Sequence, residues 1–252
     1  VDYYRLKPRL KDASEQEVRA FLGKYPGHAI ADRLRNDWLL VLGKRRDWAN
    51  FDFHFPQFVL KDDTQVRCYG LLSRAVKARP VATEARAVLV NPPSYGEACA
   101  TLIATLYDAK QFTEDDVVAQ LRLAGEYDAT GPAKRTAMLL GGSERHAGQA
   151  VDLPAVALAR GVGDTRVERE LYIVALGRMA RASLKLATSS LEKNEHKLSP
   201  QERQAAWATL ALPASTQLSA DAHDYWQKAG SAPLSREAQQ WKARTALRRA
   251  DW

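Results

Sequence analysis

The sequence predicts an all-α chain, a right-handed superhelix (α-solenoid) of stacked helical hairpins. Three observations carry this reading. Apolar residues recur at helical spacing in one segment after another. The breaks between segments are short, and no low-complexity linker intervenes. A helix-ending phrase recurs as Leu42-Gly-Lys-Arg-Arg-Asp-Trp48, Leu106-Tyr-Asp-Ala-Lys-Gln-Phe112 and Ala246-Leu-Arg-Arg-Ala-Asp-Trp252. Each copy has a helix end, then basic or small polar residues, then an aromatic placed to open the next helix. A repeated unit of roughly 30–45 residues cannot bury its apolar face alone and does so against its neighbours.

The elements follow in order. Val1–Leu6 already reads as helix, as expected of a processed or truncated start. Ser14-Glu-Gln-Glu17 is a capping box, in which hydroxyl and carboxylate each satisfy an orphan backbone amide. The helix behind it carries Val18, Phe21, Leu22 and Tyr25. After Pro26-Gly27, the residues Ile30, Leu34, Trp38, Val41 and Leu42 share one face, and Gly43 is placed to end the helix. Phe51-Asp-Phe-His-Phe55 alternates like a strand, but an isolated strand is unstable. The expectation is therefore an extended connector over Phe51–Leu60. Further helices carry Cys68, Leu71, Leu72 and Ala75, then Cys99, Leu102, Ile103, Leu106 and Tyr107. Thr113 caps a helix with Val117, Val118 and Leu121. Ser199-Pro-Gln-Glu202 combines an N-cap serine, proline at the first helical position and glutamate at the third. The last helix begins near Ser235 and holds Ala238, Trp241 and Thr245.

The chain has 252 residues, 46 % hydrophobic and 27 % charged, enough to bury a sizeable core. No apolar run approaches the roughly 18–20 residues of a membrane span. The net charge is +7. Its Lys and Arg are interspersed with Asp and Glu, so a solvated helical surface is the first expectation. A weak preference for an acidic polymer is the second. No nucleic-acid motif is present. Cys68 and Cys99 lack zinc spacing and leave two readings open, two buried thiols or one disulfide.

A search for chemistry finds little. His28, His54, His146, His196 and His223 include no pair four apart and no HExxH, so neither metal nor cofactor is expected. Gly141-Gly-Ser-Glu-Arg-His146 lacks the strand and glycine pattern of a nucleophile elbow and reads as a loop with a capping serine. Gly161-Val-Gly-Asp164 lacks a third glycine and a preceding strand, which leaves a turn. Asp115-Asp116 suits the first turn of a helix through the dipole. Trp38, Trp48 and Trp241 read as packing residues on apolar faces.

Val1-Asp-Tyr-Tyr-Arg-Leu6, Val18-Arg-Ala-Phe-Leu22, Ala31-Asp-Arg-Leu-Arg-Asn-Asp-Trp38 and Arg45-Arg-Asp-Trp48, in this order, resemble the start of the superhelical domain of the soluble lytic murein transglycosylases. The resemblance continues through Cys68, Cys99, Ala159-Arg-Gly-Val-Gly-Asp164 and the Trp241 helix, and so covers the whole chain. It implies a periplasmic protein of Gram-negative bacteria with a long, U-shaped α-superhelix. In this family a separate C-terminal lysozyme-like domain cleaves peptidoglycan between N-acetylmuramic acid and N-acetylglucosamine. One glutamate acts there as acid and then base, yielding a 1,6-anhydro sugar. The resemblance also implies a Cys68–Cys99 disulfide closing a loop of about thirty residues.

The family's catalytic Glu-Ser, Gly-Leu-Met-Gln and Ala-Tyr-Asn-Ala-Gly segments do not occur in this sequence. The expectation is one α-superhelical fragment over residues 1–252, without a catalytic domain, catalytic residues or cleaving activity of its own. Its partners would be peptidoglycan and the parent's C-terminal catalytic domain, and Trp252 would sit at a cut face. Phe51–Leu60 matches nothing in the family's pattern. The alternatives are a freestanding tetratricopeptide-like interaction module, which would need capping repeats at both ends, and a helical enzyme with an unrecognised site.

Overall fold

The computed structural model describes residues 1–249. Trp252 and the end of the third phrase lie outside them. The described chain is all-α, with no strand. Its helices are α1 (Asp2–Leu6), α2 (Glu15–Lys24), α3 (Ala29–Arg45), α4 (Trp48–His54), α5 (Thr64–Ala75), α6 (Ala82–Val88), α7 (Gly96–Asp108) and α8 (Glu114–Glu126). They continue as α9 (Thr130–Leu139), α10 (Glu144–Asp152), α11 (Pro154–Arg160), α12 (Arg166–Ala182), α13 (Leu184–Asn194), α14 (Pro200–Thr216), α15 (Ala222–Ala229) and α16 (Arg236–Arg248). Short 3-10 turns at Lys7–Asp12, Phe55–Gln57, Pro92–Ser94 and Glu195–Lys197 complete the list of helical elements.

The helices form two compact units. The first comprises Val1–Leu89 with Ser94–Thr113; the second comprises Val90–Pro93 with the chain from Glu114 onward. In the first, α3 packs on α4 and α5, and α5 packs on α6 and α7. Leu34, Trp38, Leu39, Leu42, Phe51, Phe58, Val66 and Leu72 are buried there. In the second, α12 is the hub and touches α8, α10, α11, α13 and α14. It buries residues around much of its circumference, from Glu170 through Gly177. Against it, α14 lays Trp207, Leu210 and Ala211, and α15 adds Tyr225 and Trp226.

In its first two copies the recurring phrase is a Schellman cap, and the same cap recurs elsewhere in the described chain. Arg46, Lys110, Ala78, Asp128 and Leu218 adopt φ of 56–60°, and Gly141 adopts 83°. In each case the next residue's N–H reaches back to the carbonyl five positions earlier: Asp47 to Leu42 at 3.0 Å, Arg79 to Arg74 at 3.0 Å, Gln111 to Leu106 at 2.9 Å. Ala129 to Ala124, Gly142 to Ala137 and Ser219 to Ala214 repeat this at 2.9 Å. The αL residue closes the second bond to the carbonyl three back, as Ala78 does to Ala75 at 2.9 Å. Both orphan carbonyls are thereby satisfied. The first three αL positions (46, 78, 110) stand 32 residues apart, within the expected repeat length.

Only one of these six αL positions is glycine. At exposed Ala78 the left-handed backbone costs about 1–2 kcal/mol, against about 0.4–1 kcal/mol of extra unfolded-state entropy for glycine. Ala78→Gly is therefore expected to stabilise by about 0.5–1 kcal/mol, read as a raised urea midpoint at unchanged m-value.

Two local expectations are corrected. Phe51–Leu60 is not an extended connector: Trp48–His54 is helix α4, capped by Asp47, and Phe55–Gln57 is a 3-10 turn. Phe51 and Phe55 are one helical turn apart and stack at 5.3 Å. Phe53, between them, faces outward with the Arg19 guanidinium 4.6 Å from its ring centre. Three aromatics at alternate positions thus fit a helix, because only two of them pack inward. The non-helical stretch is Phe58–Asp63, where the Asp32 carboxylate accepts the N–H groups of Val59 and Leu60 at 3.0 and 2.9 Å. Gly43 does not end α3, which continues to Arg45. A Cβ at Gly43 would lie 2.4 Å from the Tyr69 ring, so the glycine exists for close approach to α5.

Candidate functional site

The two cysteines singled out from sequence come together. Cys68 on α5 and Cys99 on α7 form a disulfide with Cα atoms 5.0 Å apart, and neither residue is exposed. A polar clamp flanks it. The Tyr69 hydroxyl donates to Glu97 at 2.5 Å, the Arg46 guanidinium reaches the other Glu97 oxygen at 2.5 Å, and Thr101 adds a third donor at 3.2 Å. Burial pushes the Tyr69 phenol well above its ordinary value, and the Glu97 carboxylate adds to this. For Glu97, burial acts to raise the pKa, but the Tyr69 and Arg46 contacts outweigh it and hold the carboxyl low. Covalent bond, ring against glycine and ionic clamp together fix α3, α5 and α7.

The histidines stay apart, on α4, α10, α15, the Glu195–Lys197 turn and the start of α3. His54 is buried, neither ring nitrogen is hydrogen-bonded, and Nε2 lies 3.8 Å from Glu15. Burial lowers its pKa, as do Arg35 and Arg19, while Glu15 opposes them. His146 pairs with Glu168 at 3.5 Å. Among the described residues no group of three or more His, Cys, Asp or Glu is placed to hold a metal ion.

The remaining motifs are structural. Ser143 accepts the His146 N–H and caps α10. Gly161, at φ 88°, leads to Thr165 and Glu168, a capping box that starts α12. Asp115 and Glu114, in the first turn of α8, pair with Arg166. Trp38 is buried, Trp48 meets Phe51 edge-on at 6.0 Å, and Trp241 packs against the α12–α15 core.

One carboxyl outside these clusters is shifted upward. Burial raises the pKa of Glu126, with Glu237 adding and Ser235 and Arg181 opposing. Its oxygen accepts the Ser235 hydroxyl at the N-cap of α16. It lines neither of the recesses described next, and its contact ties α8 to α16.

Two adjoining recesses lie between α15 and α16, about 140 and 270 Å³ in volume. His223 and Thr245 line both. Beneath them Ser215 accepts the Trp226 indole N–H at 2.8 Å and the Thr245 hydroxyl at 2.9 Å. Lys242 lines the smaller recess and Arg248 and Arg249 the larger. Sequence reading missed this site because its walls come from α15, α16 and the Ser219–Ala220 turn, which only tertiary packing brings together.

These features define an all-α array of short hairpins whose one covalent crosslink and buried ion pairs are structural. Solved structures of soluble lytic transglycosylases are similar to it in fold. No family model and no curated protein matches the chain. It is similar to an inactive mutant of the lytic transglycosylase Slt from Pseudomonas aeruginosa, at 23 % identity and a TM-score of 0.62, over 100 % of this chain and 42 % of that one. The 70-kDa soluble lytic transglycosylase of Escherichia coli is similar at 19 % identity and a TM-score of 0.55, over 98 % and 39 %. A complex of the 70-kDa soluble lytic transglycosylase with bulgecin A matches at 18 % and 0.55, over 98 % and 39 %. The chain thus spans about two fifths of the length of these proteins. The likeness establishes the fold, and it agrees with the resemblance read from the order of sequence motifs.

Proposed function

We propose that the two units together serve as the non-catalytic superhelical scaffold of a periplasmic lytic transglycosylase acting on peptidoglycan. In this reading the parent enzyme cleaves N-acetylmuramic acid–N-acetylglucosamine bonds to 1,6-anhydro products, using its own C-terminal catalytic domain. The observation that carries the proposal is the structural likeness, which covers the whole chain. The Cys68–Cys99 bond supports an oxidising compartment. Among the described residues no helix is long and apolar enough to cross a membrane. The charge of +7 favours an acidic polymer, an attraction that salt weakens.

The test is sedimentation of the chain with purified sacculi, followed by chromatography of the released sugars. Salt-sensitive cosedimentation with no release of anhydro-muropeptides is expected. Release by the chain alone would overturn the non-catalytic role, and failure to sediment would overturn the peptidoglycan reading.

A further inference from the structure

The paired recesses between α15 and α16 carry a charge pattern that the scaffold role does not explain. Lys242, Thr245 and Arg248 are three residues apart in turn on α16, and so share a face. At ~1.5 Å rise per residue, Lys242 and the Arg248–Arg249 pair stand ~9–10 Å apart along the helix. Between them lies Thr245, buried and uncharged, with its hydroxyl committed to the Ser215 network. Among the described residues neither Lys242 nor Arg248 has an ion-pair partner. Arg249 is 3.4 Å from Asp224, an exposed pair that solvent screens. From α15, His223 and Gln227, 3.3 Å apart, line the facing wall.

We propose that this recess binds a short peptide carrying two carboxylates, one at each end of the Lys242–Arg248 face. An ammonium ion acts as a point charge and a guanidinium takes a carboxylate by two parallel bonds, so the two ends suit acidic groups in different ways. The ~10 Å span is about two extended residue steps, roughly 7 Å, plus the outward reach of the two acidic side chains. A single phosphate or carboxylate reaches one end only. The inference rests on the peptidoglycan reading for the natural source of such a peptide, but the site itself does not depend on that reading.

The experiment titrates the whole chain calorimetrically with acetylated and amidated Glu-Ala-Glu, whose two side-chain carboxylates are its only charges. Gln-Ala-Glu, Gln-Ala-Gln and inorganic phosphate are the comparison ligands. Saturable binding of Glu-Ala-Glu is expected, at least about tenfold tighter than that of Gln-Ala-Glu. Lys242→Gln with Arg248→Gln should lose at least about tenfold in affinity. Lys193→Gln with Arg203→Gln, which removes the same charge from exposed positions elsewhere in the unit, should leave it unchanged. Equal affinity for the three peptides, phosphate binding as tightly as Glu-Ala-Glu, an equal loss in both variants or no saturable binding would each overturn the proposal. Sacculus sedimentation is measured alongside. Sacculus binding without tripeptide binding sinks the recess alone; tripeptide binding without sacculus binding sinks the peptidoglycan reading alone.

Discussion

Replacing Cys68 and Cys99 together with alanine is expected to destabilise the first unit by roughly 3–4 kcal/mol. The bond joins positions 31 residues apart, and the chain-entropy relation for a loop of that length gives this value at 25 °C. Both side chains are fully buried, so the lost packing acts in the same direction. The expected shift is on the order of 10 °C in the first unit's thermal transition. Calorimetry should resolve it, because the second unit shares neither cysteine and its transition should stay in place. Reductant added to the folded wild-type chain should act slowly, since the buried sulfurs require local opening first. If the double variant melts with the wild type, the Tyr69–Glu97–Arg46 clamp and Gly43 contact hold α3, α5 and α7 without the crosslink.

Much of the fold was legible because it depends on local signals. Ser14–Glu17 and Ser199–Glu202 are capping boxes where the sequence places them. Thr165-Arg-Val-Glu168 carries the same signature and opens α12, yet it is obscured by the glycines before it. The repeated phrase marked true helix ends, but its cause was backbone conformation at Arg46 and Lys110, residues with no special propensity for αL. Phe51–Phe55 misled because alternate aromatics satisfy a period of two, whereas i and i+4 packing of Phe51 on Phe55 satisfies a helix equally well. The cysteine pairing entered only through resemblance, since two cysteines fix no connectivity against the thiol alternative. The recess was not legible at all. Its Lys242 and Arg248 look like any charged residues on an exposed helix until α15 places His223 and Gln227 opposite them.

Truncating Arg122 to alanine is expected to cost the second unit about 3–5 kcal/mol, the usual penalty for stranding a buried charge. Glu170 sits on hub helix α12 with no exposed surface, and Arg122 of α8 grips both its oxygens, at 2.7 and 2.6 Å. Without that fork the carboxylate has to be desolvated unpaired, protonated or moved into solvent, and each alternative disturbs the α8–α12 contact. Arg166 is within electrostatic reach of Glu170 but is held by Glu114 and Asp115, so it offers little substitute. Arg122→Lys keeps the charge and loses the fork, and should fall between wild type and alanine. The paired replacement Arg122→Met with Glu170→Leu removes both charges while keeping volume. It is expected to lie near the wild type or above it, because a buried ion pair returns little more than its own desolvation. Urea midpoints of the second unit decide the matter. A large loss for Arg122→Ala with recovery in the pair shows that stranded charge, rather than lost contact, is what α12 cannot tolerate at Glu170. Equal losses in both variants would assign the sensitivity to packing instead.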